Sequence, residues 1–368
     1  MRVTRPFLMA IALCFAAACS DDSTEGGASP FGPQAEPIPD VSHTRPSDIT
    51  VMTRNMYVGA DVDAVIGALA TPDPADDQSA LLAAISVLEE THFPGRAAAI
   101  AGEIARARPH VVGLQEVSTV DISLPPLGVE LHLDFLPVLL AELSARGLQY
   151  EVATRVRNIE ATPFPGVSLI DEDAILVDRE LVTVHGTTAQ RFSANLGPVA
   201  PGVVLARGWV TAAVTIGSRA YTIASTHLES GDAPGLDQLR AAQAAELVQA
   251  LGGTAPSLVM GDMNDVPGSP MHQVLVGAGL EDVWVMLRPG APGYTCCHAT
   301  DLSNRVQQFH KRIDYLFVRD GSEGGKVTGQ IGRVGDVPAD RFPGPAHPLW
   351  PSDHAGLVAR LTAHPPIP

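Results

Sequence analysis

In the segment LVMGDMNDVPGSP an apolar run stops at a glycine and is followed by Asp262 and, two positions on, Asn264. Side chains on a strand alternate with period 2, so both polar groups are expected on one face. The same thing recurs along the chain. Asn55 closes ITVMTRN, Glu116 interrupts HVVGLQEV, His227 closes YTIASTH, Asp314 opens IDYLFV, and Asp353–His354 precede GLVARL. Any one of these has an ordinary use as a turn residue, a cap or a hydrogen-bonded core histidine. Burying a carboxylate or imidazole is costly unless it is paired or bound to a metal. A chain that does so at several strand ends is expected to be building one site.

The donors are mostly hard oxygens, which suit Mg²⁺ or Mn²⁺ better than zinc. A cation held at Glu116 would polarise a phosphoryl oxygen and stabilise a leaving oxygen. Asp262 is placed to take a proton from water. His227 and His354 would donate hydrogen bonds to phosphate or protonate the leaving group. The chemistry to expect is metal-assisted phosphoryl hydrolysis.

The elements that must position these groups are short β-branched or apolar runs mixed with helices. ITVMTRNM, HVVGLQEV, YEVATRV, AILVDR, RGWVTAAVTI, YTIASTHLE, SLVMGDMN, IDYLFV and GLVARL read as strands. GRAAAIAGEIARARP carries Ile100 and Ile104 at helical spacing and stops at Pro109. LPVLLAELSARG reads as a helix closed by Gly147. LDQLRAAQAAELVQALGG keeps Leu239, Leu247 and Leu251 on one face and closes at Gly252. Several strands follow one another with no helix between them. Two packed mixed sheets flanked by helices fit this better than one doubly wound sheet. The Ala-rich stretch from Asp61 to Glu90 adds a helical region that either packs or covers the substrate face.

The chain has 368 residues, 45% hydrophobic and 18% charged, enough for one large α/β domain. Its net charge of −17 is unlike a dedicated nucleic-acid binder, whose pI is usually above roughly 9. A bound metal reverses the field locally, so a nuclease stays open. Residues 1–18 read as a signal segment: Arg2 and Arg5, an apolar run too short to span a bilayer, then Ala16, Ala17 and Ala18 before Cys19. This resembles a bacterial lipobox, with Cys19 lipidated and the mature chain anchored at the cell envelope; plain secretion is the alternative. Residues 19–47 are rich in Gly, Pro, Ser and acids and read as a tether reaching on the order of 30 Å. The globular pattern runs over 48–363, with a short tail at 364–368. Cys14 would be removed with the signal segment. Adjacent Cys296 and Cys297 then remain, and they cannot form a stapled disulfide framework.

The order Asn55, LQEV, STHLES, GDMND, RIDY and SDHAGL resembles the endonuclease/exonuclease/phosphatase superfamily, whose members are similar to deoxyribonuclease I, bacterial sphingomyelinases and inositol-polyphosphate 5-phosphatases. The resemblance covers about residues 48–362. It implies a four-layer α/β sandwich of the deoxyribonuclease-I type, with the site where strand ends meet. It implies that Glu116 is the main metal ligand, assisted by Asn55, with Asp353 also contacting metal. Asp262 and Asn264 would position water and phosphate, Asp314 and Asp353 would orient the histidines, and His227 and His354 would flank the phosphate. It further implies that Glu172 or Asp173 holds His227 and that Arg207 contacts phosphate. The segment GYTCCHATDLSN departs from the familiar branches. For its cysteine pair, metal binding, redox chemistry or simple packing are the readings.

The expectation is therefore a metal-dependent phosphoesterase, a monomer, that cuts a P–O bond by direct attack of water. A phosphodiester of nucleic acid leads slightly over a phospholipid head group, as in a sphingomyelinase or phospholipase C, and over a small phosphate ester. The rival class is a non-catalytic binding lipoprotein.

Overall fold

The computed structural model describes residues 48–364 except 70, 72, 253–255 and 321–325. The signal segment with Cys14 and Cys19, the tether and the residues beyond 364 lie outside the described residues. In chain order the strands are β1 (Asp48–Asn55), β2 (Val111–Leu124), β3 (Val129–Asp134), β4 (Tyr150–Phe164), β5 (Val167–Asp178), β6 (Val182–Arg191), β7 (Gly197–Ala200), β8 (Val203–Leu205), β9 (Gly208–Ile216), β10 (Arg219–His227), β11 (Ser257–Asp262), β12 (Glu281–Asp282), β13 (Asp314–Arg319), β14 (Lys326–Val334), β15 (Phe342–Pro343), β16 (Pro348–Leu349) and β17 (Gly356–His364). The helices are α1 (Val62–Leu69), α2 (Pro74–Glu90), α3 (Phe93–Ala107), α4 (Phe135–Ala145), α5 (Leu236–Leu251), α6 (Pro270–Gly277) and α7 (Val283–Leu287).

Two mixed sheets stack face to face. One has the order β14-β17-β1-β2-β5-β4-β8-β7, with β3 beside β2; the other has the order β12-β13-β11-β10-β9-β6. Their central strands are buried on both faces, and their sequences show why. In β1, β2, β5, β10, β11, β13 and β17 one residue of each neighbouring pair faces the other sheet: Val51, Val111, Ile175, Ile223, Leu258, Leu316 and Leu357. The next residue faces helices. Met52, Val112, Leu176 and Val358 meet Ile100, Ile104, Phe135 and Leu139 of α3 and α4. Ala224, Val259 and Phe317 meet Leu247, Leu251, Met271 and Leu275 of α5 and α6. Burial on both faces removes alternation and produces continuous apolar runs. The four-layer α/β sandwich expected from the sequence is what forms.

Each sheet holds one parallel pair, β1 with β2 and β10 with β11. A parallel pair needs a crossover, supplied by the α1–α3 region in the first case and by α5 in the second. The carboxyl ends of these four strands point the same way, beside the amino ends of β13 and β17. In register, Asn55 sits beside Gln115, His227 beside Asp262, and Asp262 beside Asp314. The α1–α2 region packs: Ile85 and Leu88 join Tyr57, Val120 and Trp350, and Ile66 joins Ile159, Val203 and Leu205. The buried stripe of α5 differs from expectation. It runs through Leu236, Arg240, Gln243, Ala244, Leu247 and Leu251, and Leu239 is only half-buried. Among the described residues no helix is long and apolar enough to cross a membrane.

Candidate active site

Glu116 is carried by a fault in β2. The pairing of β2 with β5 slips between Leu114 and Val117, and Glu116 itself has a φ of 55°. A bulge of this kind re-aims one side chain, and a non-glycine residue at positive φ persists only where its surroundings enforce it. Here the enforcement is visible. Glu116 Oε2 accepts from the Val58 backbone N–H at 2.7 Å and Oε1 from Asn55 Nδ2 at 2.9 Å. Asn55 Nδ2 also reaches Asp262 Oδ2 at 3.1 Å, and Asn55 Oδ1 accepts from the Tyr57 N–H at 2.8 Å. The amide nitrogen of Asn55, not the oxygen expected to assist a metal, therefore faces the acids, and it spans the two sheets.

Asp262 and Asn264 come together by a different route from the one the alternation predicts. β11 ends at Asp262, and Asn264 lies beyond it with a φ of 50°. Its backbone N–H donates to Asp262 Oδ1 at 2.9 Å. This Asx turn swings the Asn264 amide across, to 3.0 Å from the Leu228 carbonyl and 2.9 Å from His227 Nε2. Arg240 locks the turn from behind, donating to Asp265 at 3.1 Å and to the carbonyls of Glu229 and Gly231 at 3.2 and 2.9 Å.

The two histidines have opposite surroundings. His354 Nδ1 is 2.9 Å from Asp314 Oδ2 and 3.7 Å from Asp262 Oδ2, and its Nε2 is 4.0 Å from Asp353 Oδ2. Burial opposes its charge, but Asp314, Asp353 and Asp262 prevail and hold the imidazole well above its ordinary pKa. His227 Nε2 is 3.5 Å from Asp262 Oδ2, while Arg207 stands 3.2 Å from its Nδ1. Burial, with Arg207 and His354 behind it, drives His227 well below its ordinary pKa. An arginine can only donate, so Nδ1 of His227 accepts from Arg207, and the Asn264 amide lies against Nε2 at 2.9 Å. The carboxylates around His354 favour its charged form, and burial beside Arg207 disfavours charge on His227.

The carboxylates are crowded. Burial pushes Asp262 up to about 7, opposed by His354 and reinforced by Asp314. Burial and then Asp353 raise Glu116. Burial raises Asp353, with the charge of His354 opposing. Asp314 Oδ1 is buried and finds no hydrogen-bond partner among the described residues. Raised acids and an orphan oxygen are what a hard-oxygen cation site looks like without its cation. The donors thus fit a divalent metal. Asp262, Asp314 and His354 also offer atoms within 4.8 Å of one another, where Nδ1 of His354 already bonds Asp314.

Asn55, Glu116, Arg207, His227, Asp262, Asn264, Asp314, Asp353 and His354 therefore share one place. Glu172 does not join them. It points to the opposite face of β5, pairing with Arg155 at 3.0 Å and Arg157 at 3.8 Å, and it does not hold His227. Its neighbours Asp171 and Asp173 face inward, and both raise the pKa of Arg207. Asp173 likewise has no contact with His227; Arg207 fills that position, itself 3.3 Å from Glu229. Sequence reasoning missed a set of buried supports. Arg54, fully buried, pairs with Glu103 of α3 at 2.9 Å and donates to the His354 carbonyl. The Ser352 hydroxyl donates to the Asn55 carbonyl at 2.9 Å and accepts from the His354 N–H at 3.2 Å. Arg54 near the end of β1, and Arg240 on the mainly apolar stripe of α5, were the available signals.

The model of the Endonuclease/Exonuclease/phosphatase family matches residues 87–354. No curated protein matches the chain. Among solved structures, an endonuclease/exonuclease/phosphatase from Beutenbergia cavernae is similar at 20% identity and a TM-score of 0.55, over 86% of this chain and 72% of that one. A mannosyl-6-phosphatase of Bacteroides thetaiotaomicron is similar at 17% identity and a TM-score of 0.55, over 85% of this chain and 99% of that one. D. rerio TDP2, complexed with a single-strand DNA product, is similar at 17% identity and a TM-score of 0.51, over 86% and 99%. These likenesses are of fold. The family match extends over most of the domain and takes in nearly every strand end that feeds the site, and on that ground the chain belongs to the endonuclease/exonuclease/phosphatase family and is a phosphoester-hydrolysing enzyme.

Proposed function

We propose that the chain is a divalent-metal-dependent phosphodiesterase, anchored at the cell envelope through Cys19, that cleaves a P–O bond by direct attack of water. The observation that carries this reading is the placement of two buried histidines around Asp262, with His354 Nδ1 2.9 Å from Asp314 Oδ2 and 3.7 Å from Asp262 Oδ2, and His227 Nε2 3.5 Å from Asp262 Oδ2. A charged His354, gripped by Asp314, is suited to give a proton to the leaving oxygen. His227, which burial and Arg207 keep from charging, stands beside Asp262 and Asn264, where it would meet a phosphoryl oxygen. Asp262 is the base: its Oδ1 is fixed by the Asn264 N–H and its Oδ2 by Asn55. Asn264 orients the water or the phosphate, and Arg207 holds the His227 ring through Nδ1. Glu116 and Asp353 would hold Mg²⁺ or Mn²⁺, which when bound supplies charge neutralisation at the phosphoryl oxygens.

A nucleic-acid phosphodiester is the favoured substrate. The likeness to a protein solved with a DNA product supports it. The bulk acidity bears on affinity and on-rate more than on chemistry. The mannosyl-6-phosphatase likeness is the reason to include monoesters in the test. Purified protein, stripped with EDTA and supplied in turn with Mg²⁺, Mn²⁺ and Ca²⁺, should be assayed on plasmid DNA, RNA, sphingomyelin, bis-p-nitrophenyl phosphate and sugar phosphates. Activity should vanish in EDTA and return with Mg²⁺ or Mn²⁺, and Glu116→Gln should need far more metal. Full activity in chelator would sink the reading.

A further inference from the structure

The segment containing Cys296 and Cys297 lies against His354. It is stitched there by backbone bonds: His298 N–H to the Asp353 carbonyl at 2.9 Å and Ala355 N–H to the Thr295 carbonyl at 2.8 Å. On its other side Cys296 N–H donates to the Lys311 carbonyl at 3.0 Å and the His310 N–H donates to the Cys296 carbonyl at 2.8 Å. Cys296 is fully buried, and Cys297 is half-buried. Cys297 Sγ lies 3.9 Å from His354 Nε2. The two sulfurs and a ring nitrogen of His354 all lie within 4.8 Å of one another. The other ring nitrogen, Nδ1, is tied to Asp314, the carboxylate–histidine arrangement that orients an imidazole toward a metal. In the structure the two sulfurs are bonded to each other.

Two thiolates and an imidazole make a soft donor set, unlike the oxygens of Glu116 and Asp353. Tetrahedral zinc with ordinary Zn–S and Zn–N bonds spaces its donors about 3.5–3.8 Å apart, close to the 3.9 Å seen between Cys297 and His354. We propose that Cys296, Cys297 and His354 Nε2 form a redox-controlled site for a thiophilic divalent cation of the Zn²⁺ or Cd²⁺ class. With the disulfide intact the sulfurs have no thiolate to offer and the site is closed. A dithiol reductant gives two electrons and two protons to the sulfurs and leaves as its own cyclic disulfide. The cation then displaces three protons, one from each thiol and one from Nε2 of His354, as two metal–sulfur bonds and one metal–nitrogen bond form. Occupancy takes Nε2 of His354 out of use and arrests hydrolysis. The arrest rests on the role proposed above for His354; the binding does not.

The test uses the full chain with Cys14→Ser and Cys19→Ser, so that the pair supplies every thiol. Oxidised and phosphine-reduced forms are titrated with Cd²⁺ in excess Mg²⁺, following the ultraviolet cadmium–thiolate band and the bound metal per chain. The reduced form should take up one Cd²⁺ with the band, and the oxidised form should show no band. Reduced Cys297→Ser should bind at least about tenfold more weakly and keep full activity in Mg²⁺. Zn²⁺ should inhibit the reduced form at a concentration at least tenfold below that needed for the oxidised form or for Cys297→Ser. Equal uptake by oxidised and reduced protein, or by Cys297→Ser, would overturn the site. Uptake without inhibition would remove His354 from it. A protein inactive on every substrate would defeat the functional reading while the cadmium band still decides this one.

Discussion

At the scale of single residues the site is a problem of placing protons. Four acids, Glu116, Asp262, Asp314 and Asp353, crowd two histidines, and the surroundings favour positive charge on His354 and oppose it on His227. Asp262→Asn preserves shape and removes the base. General-base catalysis is typically worth about 10²–10⁴-fold, so kcat should fall by that much while the urea midpoint and metal affinity hold. His354→Ala should cost a similar factor. The double variant should lose less than the product of the two, because both serve one step. Near-normal kcat in Asp262→Asn would show that GDMND is a structural turn and that water is activated elsewhere.

At the scale of elements, the site depends on strand ends held in register. Gly261 precedes Asp262 with a φ of 153°. A Cβ there would come within 1.9 Å of the Thr226 carbonyl oxygen on the neighbouring strand. Gly261→Ala should therefore prise β10 from β11, lowering stability by about 1–3 kcal/mol and displacing both Asp262 and His227. Gly277, at the end of α6, meets nothing within 4 Å, so Gly277→Ala should change stability by less than about 1 kcal/mol. Urea titrations of the two variants compare them directly. A second element, the loop after Cys297, predicts a pH dependence. His298 stacks 4.1 Å from the rings of both Phe309 and Trp350, and its Nδ1 faces the Asn304 amide at 3.0 Å. Burial, with Arg54 and His354 adding to it, pulls its pKa down to about 3. A depressed folded pKa means that the unfolded chain takes up the proton first as pH falls. The stability held by neutral His298 is complete above about pH 6.5 and is lost progressively as pH falls toward 3. Between pH 7 and pH 5 the loss should be about 2 kcal/mol, and His298→Gln should flatten that part of the profile. A variant with the same slope as the wild type would show that His298 is not the group titrating.

At the scale of the whole molecule, the proposed arrangement is a catalytic sandwich on an acidic tether. A net charge of −17 keeps such a domain soluble and repels it from other polyanions. If Cys19 carries lipid, the wild-type protein should sediment with membranes and partition into detergent, and Cys19→Ser should appear in the soluble fraction or remain unprocessed. A soluble, unlipidated wild-type protein would refute the anchor and leave the enzyme untouched.

Most of the architecture and the main site residues could be read in the sequence because their physical signals are local. A strand buried on both faces writes itself as an apolar run, and an acid or histidine at its end is conspicuous for its cost. The short edge strands β7, β8, β15 and β16 leave little trace, being only two to four residues long, and β6 escapes because most of it is exposed. Four features were decided only by the tertiary structure. The bulge at Glu116 and the left-handed Asn264 are fixed by contacts from other strands, so simple alternation misjudges them. On β5 the face that turns inward is chosen by the neighbouring sheet, which places Asp171 and Asp173 inside and Glu172 out with Arg155. The partner of His227 is likewise a matter of packing. Arginine and histidine lie 20 residues apart in sequence, and nothing local says that the arginine, rather than an acid, will fill that space. Residue types announce what chemistry is affordable; which atoms meet is set by long-range packing, where small shifts in register exchange one partner for another.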